Sequence, residues 1–316
     1  MIENLRVSFE AIAPLFVLMA VGAALRKKGM LDEALLPRLN NLVFRLFLPL
    51  MLFDNIYSTA SSLEQAVDPA LLAFAAAGVL AVYALSLALV LAIEKRPAQR
   101  GAMIQALFRS NFLILGLPIS RSLFGEERAS VTAMAVACVI PLFNVLAVVT
   151  LETFRRGGHV DAKKILRGIA VNPLIWASVL GLAALGAGVR LPAVIQTPVE
   201  ELGTIATPLA LLCLGASLRL DRVRGNRRNL AICVVGRLVV VPALTLPVAA
   251  LLGFRGVAMG TLMAVFASPT AVTSWVMAQQ MDSDGELAGQ AVVFTSVFSC
   301  LTIFLWTFGL KQVGWM

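Results

Sequence analysis

The chain has 316 residues, of which 59% are hydrophobic and only 14% charged, with a mean hydropathy of +0.88 and a formal net charge of +8. Soluble domains carry about 25% charged residues, so this composition cannot cover a fold in water, and its apolar runs lack the strict alternation of a membrane barrel. The basic residues fall in short clusters between apolar runs, the pattern of cytoplasmic loops and not of a nucleic-acid-binding face.

Crossing the hydrocarbon takes about 20 apolar residues per helix. The runs predict ten transmembrane helices over roughly 9–26, 37–57, 69–93, 101–122, 129–152, 166–188, 194–217, 229–252, 256–280 and 287–310. The first begins near Ser8, with Glu3, Arg6 and Glu10 around it. It has no basic leader and no small-residue cleavage site, so it is read as a retained span and not a signal peptide. The loops after spans one, three, five and seven hold seventeen basic residues: Arg26, Lys27, Lys28 and Arg38; Lys95, Arg96 and Arg100; Arg155, Arg156, Lys163, Lys164 and Arg167; Arg219, Arg222, Arg224, Arg227 and Arg228. The opposite loops and the termini hold six. By the positive-inside rule the seventeen face the cytoplasm and both termini face out. The longest loop, Phe154 to Ile165, carries the only histidine, His159, which reads as a solvated loop residue. The cysteines Cys138, Cys213, Cys233 and Cys300 each sit inside an apolar run and read as small buried hydrophobes, without metal-type spacing.

One pattern occurs twice along this series. Pro14 and Pro49 are 35 residues apart, as are Pro173 and Pro208, 159 residues further on; Gly22 and Gly181 keep the same offset. Leu48-Pro49-Leu50-Met51-Leu52-Phe53 is matched by Thr207-Pro208-Leu209-Ala210-Leu211-Leu212. The expected organisation is one transmembrane domain over 1–316, with repeat one at about 1–155 and repeat two at about 164–316. Five spans per repeat turn the second copy upside-down, the inverted-repeat plan of secondary transporters, in which substrate binds near the midplane where the copies meet.

Spans four and nine are read as broken. Span four holds Asn111 and then Gly116-Leu117-Pro118; span nine holds Ser268-Pro269-Thr270. Proline removes an amide donor and clashes with the preceding turn, and unpaired backbone in a membrane is tolerated only against protein or water. Helix ends exposed at such breaks offer amides and partial positive charge to an anion. The alternative is a pair of ordinary proline kinks. Pro118 and Pro269 are 151 residues apart, which implies a drift of eight residues between the copies before the crossovers.

Asn111 to Pro118, Pro269-Thr270-Ala271-Val272, Asn172-Pro173 and Leu214-Gly215-Ala216-Ser217-Leu218 together resemble the auxin efflux carrier family, and most closely its bacterial branch of malonate-transporter-like proteins. The resemblance covers nearly the whole length. It implies ten spans, inverted five-helix repeats, two crossing broken helices around a central site, and an organic-anion substrate. It places the family's crossover asparagine on Asn111 and its crossover prolines on Pro118 and Pro269. The second crossover departs from the family by having Ser268 and Thr270 but no asparagine, a departure that counts against an auxin-like aromatic acid as the substrate. A multi-pass position in the cell membrane follows, the inner membrane in a bacterium.

Arg45, Arg109 and Arg237 fall inside spans, each about eight residues from the cytoplasmic end and so about 12 Å deep at 1.5 Å per residue. An arginine at mid-bilayer costs at least about 2.5 kcal/mol and needs a partner, a cavity or a function. For Arg45 and Arg237 snorkelling or structural pairing competes with substrate contact. Arg109 stands two residues from Asn111, and a guanidinium grips a carboxylate bidentately. The expected substrate-binding set is Arg109, Asn111, Gly116, Pro118, Ser268, Pro269 and Thr270. Arg45, Asp54 and Arg237 form a secondary group, and Asp54 is the one candidate proton carrier against a plain interfacial role. A sodium site of oxygen ligands at the crossover is the other coupling scheme.

The reading is a secondary transporter or uniporter for a small malonate-like carboxylate, working by alternating access. Its expected partners are the anion, a proton or sodium ion, the bilayer and a second copy in a homodimer; no nucleic acid, metal or other cofactor is expected. The alternative is a sodium- or proton-coupled exchanger of the same architecture, which calls for a paired buried carboxylate. A membrane enzyme would need a nucleophile–base or metal cluster within the spans, and one loop histidine supplies neither. Without a Gly-rich Lys-Ser/Thr phosphate loop, direct ATP hydrolysis is not expected.

Overall fold

The computed structural model describes residues 2–58, 68–112, 116, 120–121, 124–155 and 162–316. Pro118 and His159 lie outside them. Among the described residues the chain is helical, with no strand. In chain order the helices are α1 (Ile2–Lys27), α2 (Leu35–Tyr57), α3 (Pro69–Ile93), α4 (Pro97–Phe108), α5 (Glu126–Thr153), α6 (Ala162–Ala170), α7 (Pro173–Gly186), α8 (Ala193–Ser217), α9 (Val223–Leu251), α10 (Gly256–Ala267), α11 (Val272–Gln280) and α12 (Gly285–Gln312). Among the described residues six helical stretches are long and apolar enough to cross a bilayer: α2, α3, the Val131–Thr153 part of α5, α8, α9 and α12; α7 and α10 are shorter apolar helices. This is a multi-pass helical membrane protein.

Several ends follow from sequence. Asp68 and Asn172 each accept the amide two residues on, from Ala70 at 2.8 Å and Leu174 at 2.9 Å, with proline at the first helical position of α3 and α7. Asp284 caps α12 through the Leu287 amide at 2.9 Å. The expected sixth span, 166–188, is cut in two: the basic helix α6 stops at Ala170 and the apolar α7 begins only at Pro173. Proline also shapes helix interiors. α2 widens into a π turn over Val43–Phe47, two residues before Pro49, and α9 does so over Gly236–Val240, two residues before Pro242. A proline cannot bond the carbonyl four residues back, and a π turn relieves the clash. The Leu238 carbonyl that Pro242 leaves free accepts from Trp306 Nε1 at 3.0 Å.

The helices pack in two groups. α1 lies on α8, and α2 lies on α7 and α8; α3, α4, α5, α9, α10, α11 and α12 pack largely on one another. Close approach within the first group depends on small residues. A side chain at Gly22 would overlap the Leu212 carbonyl, and one at Gly181 would crowd the Phe53 carbonyl at 3.3 Å. Leu212 and Phe53 are themselves 159 residues apart, so the same contact is made twice at the repeat offset. In the second group Gly78 of α3 makes room for the Phe266 ring, and Gly236 of α9 for Leu107. Leu107 and Phe266 keep that offset too.

Candidate functional site

α4 and α10 stop facing each other at mid-chain breaks. Arg109, Ser110 and Asn111 run extended after α4, and Ser268 to Ala271 run extended between α10 and α11. The two segments pair antiparallel about Ser110 and Thr270. Asn111 N donates to Pro269 O at 2.8 Å, and Ala271 N donates to Arg109 O at 3.3 Å. The pattern is reciprocal: in each segment the amide after the central residue reaches the carbonyl before its counterpart. Two amides and two carbonyls released by the breaks are thereby paired with each other, as buried backbone in a membrane requires.

Among the described residues the first break falls at Arg109 to Asn111; Pro118, where glycine and proline suggested one, lies outside them. Ser110 and Thr270 are 160 residues apart, within one residue of the repeat offset, so the drift of eight residues inferred from the prolines is corrected. Gly116 is helical and buried beside Ala264 and Phe112.

Arg237 holds this junction from behind. Its side chain is 1% exposed. Nε donates to Ser268 O at 2.8 Å, Nη2 to Val265 O at 2.8 Å, and Nη1 to Leu107 O at 3.1 Å and Phe108 O at 3.3 Å. These carbonyls close α4 and α10, whose C-terminal ends carry partial negative charge. One guanidinium therefore caps both half-helices.

In front of the junction lies a cavity of about 50 Å³, lined by Arg109, Ser110 and Asn111, by Ala271 to Thr273 at the start of α11, by Ile140, Phe143 and Asn144 of α5, by Met51, Leu52 and Asn55 of α2, and by Thr207 of α8. It joins the two packing groups, with α2 and α8 on one wall. That volume holds a few waters and is too small for a dicarboxylate without movement of the walls. Arg109 is 4% exposed; Nη2 donates to Asn144 Oδ1 at 2.6 Å and Nη1 to Gln105 Oε1 at 3.4 Å and the Met277 sulfur. Among the described residues it makes no ion pair. Ser110 Oγ, Asn111 Nδ2 and Asn144 Nδ2 are buried without partners. A donor left so costs about 1–3 kcal/mol, and all three belong to residues that line one cavity together with a cation. The α11 N-terminus adds its dipole and the first amides of the helix.

The other expected residues separate. Ser268 Oγ is spent on Ala264 O at 2.6 Å and Thr270 Oγ1 on Ala106 O at 2.9 Å, while Thr270 N donates to Thr295 Oγ1 at 3.1 Å. Ser268, Pro269 and Thr270 build the junction without lining the cavity. Arg45 is exposed and lines a different pocket with Glu152 and Arg155, which removes it from the crossing. Asp54 is half-buried on α2 next to Asn55 and is not among the cavity residues. Ser110, Asn144 and Thr207 were not anticipated. Asn144 carried a readable signal, a lone amide three residues after Pro141 within an apolar span.

A helical membrane protein with paired helix breaks around a buried polar cavity belongs to the class of transporters. The sequence profile of the membrane transport protein family (Mem_trans) matches residues 7–307, and the chain belongs to that family, which is the auxin efflux carrier family its motifs resemble. Among its relatives are an uncharacterized transporter of Methanocaldococcus jannaschii, 26% identical over 310 residues, covering 95% of this chain and 98% of the relative, and one of Methanothermobacter thermautotrophicus, 23% identical over 305 residues, covering 95% and 97%. These matches are to transporters and not to enzymes.

Proposed function

We propose that the protein moves a small organic anion, a malonate-like carboxylate, across the cell membrane by alternating access, with the crossing of the two breaks as its binding site. One observation carries this: the cavity presents donors and almost no counter-charge. Arg109 has neutral partners only, and Ser110, Asn111 and Asn144, each with one unpaired buried group, all line the same small space. A carboxylate supplies the acceptors these groups lack. A cation exchanger would need acids there, and among the described residues the only buried acid is Glu94, at the end of α3.

Ten spans in two inverted five-helix repeats, with both termini extracytoplasmic, remain the proposed topology. The duplicated glycine contacts and the reciprocal pairing at Ser110 and Thr270 support it. The group of α1, α2, α7 and α8 would act as one body and the rest as the other, with the cavity opening to each side in turn. An inside-negative potential of 100 mV favours exit of each negative charge by about 2.3 kcal/mol, so uniport suffices for export, and uptake of a dianion calls for co-transported cations. The test is uptake of labelled malonate, succinate and acetate by proteoliposomes, with and without imposed proton and sodium gradients. Carboxylate flux above that of empty liposomes is expected; flux of a cation alone would refute the reading.

A further inference from the structure

A groove of about 510 Å³ opens between α3 and α9 on the outside of the second helix group, and Leu107 of α4 forms part of its wall. Apart from Ser86 its lining side chains are apolar, and Leu89 of α3 and Val235 of α9 are 45% and 52% exposed along it. In a bilayer such a surface meets acyl chains. Its two ends differ. At the end marked by Ile93 and Ala231 the chain places Lys95, Arg96 and Arg100 after α3 and Arg224, Arg227 and Arg228 at the start of α9. On α9, Arg224, Arg228, Ala231 and Val235 follow one another at steps of three and four, so two arginines share the face that lines the groove.

Among the described residues the ion pair at this end takes Arg96 and leaves the arginines of α9 uncompensated. Glu94 is buried and bonded to Arg96 at 3.0 Å and to Asn229. Arg100 donates to the main-chain carbonyls of Glu94 and Leu91. Among the described residues Arg224, Arg227 and Arg228 make no ion pair.

We infer that this groove is a site for an anionic phospholipid of the leaflet on the basic side, with an acyl chain against Leu107 and Gly236 and the phosphate on Arg224 and Arg228. Basic pockets between membrane helices select acidic headgroups in this way. The site touches the transport machinery: the Leu107 carbonyl is held by Arg237, and Gly236 is its chain neighbour. A lipid seated there packs on the two residues flanking the pin of the crossing. The inference does not depend on the transported substrate.

The experiment introduces a reporter tryptophan, Val235→Trp, into the full-length protein. The protein is reconstituted in phosphatidylcholine with brominated phosphatidylglycerol or brominated phosphatidylcholine, and the quenching of the parent's own tryptophans is subtracted. Attraction worth one basic residue gives phosphatidylglycerol a preference of about five-fold or more at the reporter. That preference should vanish when Arg224→Gln and Arg228→Gln are added. Leu89→Trp, on the same groove and four residues before Ile93, should report the same preference and serves if Val235→Trp does not fold. Leu180→Trp on α7 should show none. Equal quenching by the two lipids, or a preference that survives loss of both arginines, overturns the site.

Discussion

Arg109 and Arg237 both sit at the crossing, and their partners divide the work between them. Arg237 spends its donors on four carbonyls of two helix ends. Arg237→Gln should therefore lower the thermal unfolding midpoint in detergent markedly, with a cost of order 3 kcal/mol for orphaned carbonyls and a lost charge-assisted bond. Arg237→Lys should recover only part, since an ammonium lacks the planar fork. Arg109→Gln removes a buried charge with neutral partners and should leave that midpoint little changed or raised. It should weaken carboxylate transport by about ten-fold or more, the value of one charge-assisted bond. Both arginines were visible in sequence as charges inside apolar spans, with Arg109 expected at the substrate and Arg237 left between structural pairing and substrate contact; the carbonyls that Arg237 holds were not legible. Which carbonyls lie in reach of a side chain is a matter of tertiary packing.

At the scale of elements, α3 could be bounded from sequence alone, because Asp68-Pro69 starts it and Glu94 to Arg96 ends it. The first break could not. Arg109-Ser110-Asn111 has no glycine or proline, and its backbone leaves the helix because Pro269 and Ala271 offer a pairing partner and Arg237 caps the end. Local propensity pointed instead to Gly116 and Pro118. The junction of α3 and α9 has its own signature. The Arg96 side-chain hydrogen bond, followed by Arg96's backbone amide and Asn229, outweighs desolvation and holds the Glu94 carboxyl down at about 2. A group depressed in this way stabilises the fold above its ordinary value near 4.5 and loses that contribution as pH falls toward about 2. Unfolding followed between pH 6 and 3 should show an acid loss of stability that Glu94→Gln reduces. Gly215→Val should separate α1 from α8, because a side chain there overlaps the Met19 carbonyl, and a drop in folded yield and unfolding midpoint would register it.

For the whole molecule, duplication was legible as a proline and glycine offset, and the folded chain repeats its close contacts at that same offset. The proposed topology predicts that, in a variant whose four cysteines are replaced, Lys311→Cys reacts with a membrane-impermeant maleimide on intact cells, while Gly225→Cys reacts only after permeabilisation. What the sequence patterns could not convey is a central cavity lined by a cation and no acid, since Arg109, Asn144 and the start of α11 come from three distant segments. That cavity is most directly tested by labelled malonate flux in proteoliposomes carrying the parent chain or Arg109→Gln, each checked for folding by its unfolding midpoint. Flux in the parent and its loss in a folded Arg109→Gln protein is the predicted result; equal carboxylate flux in both would contradict an anion site at the crossing.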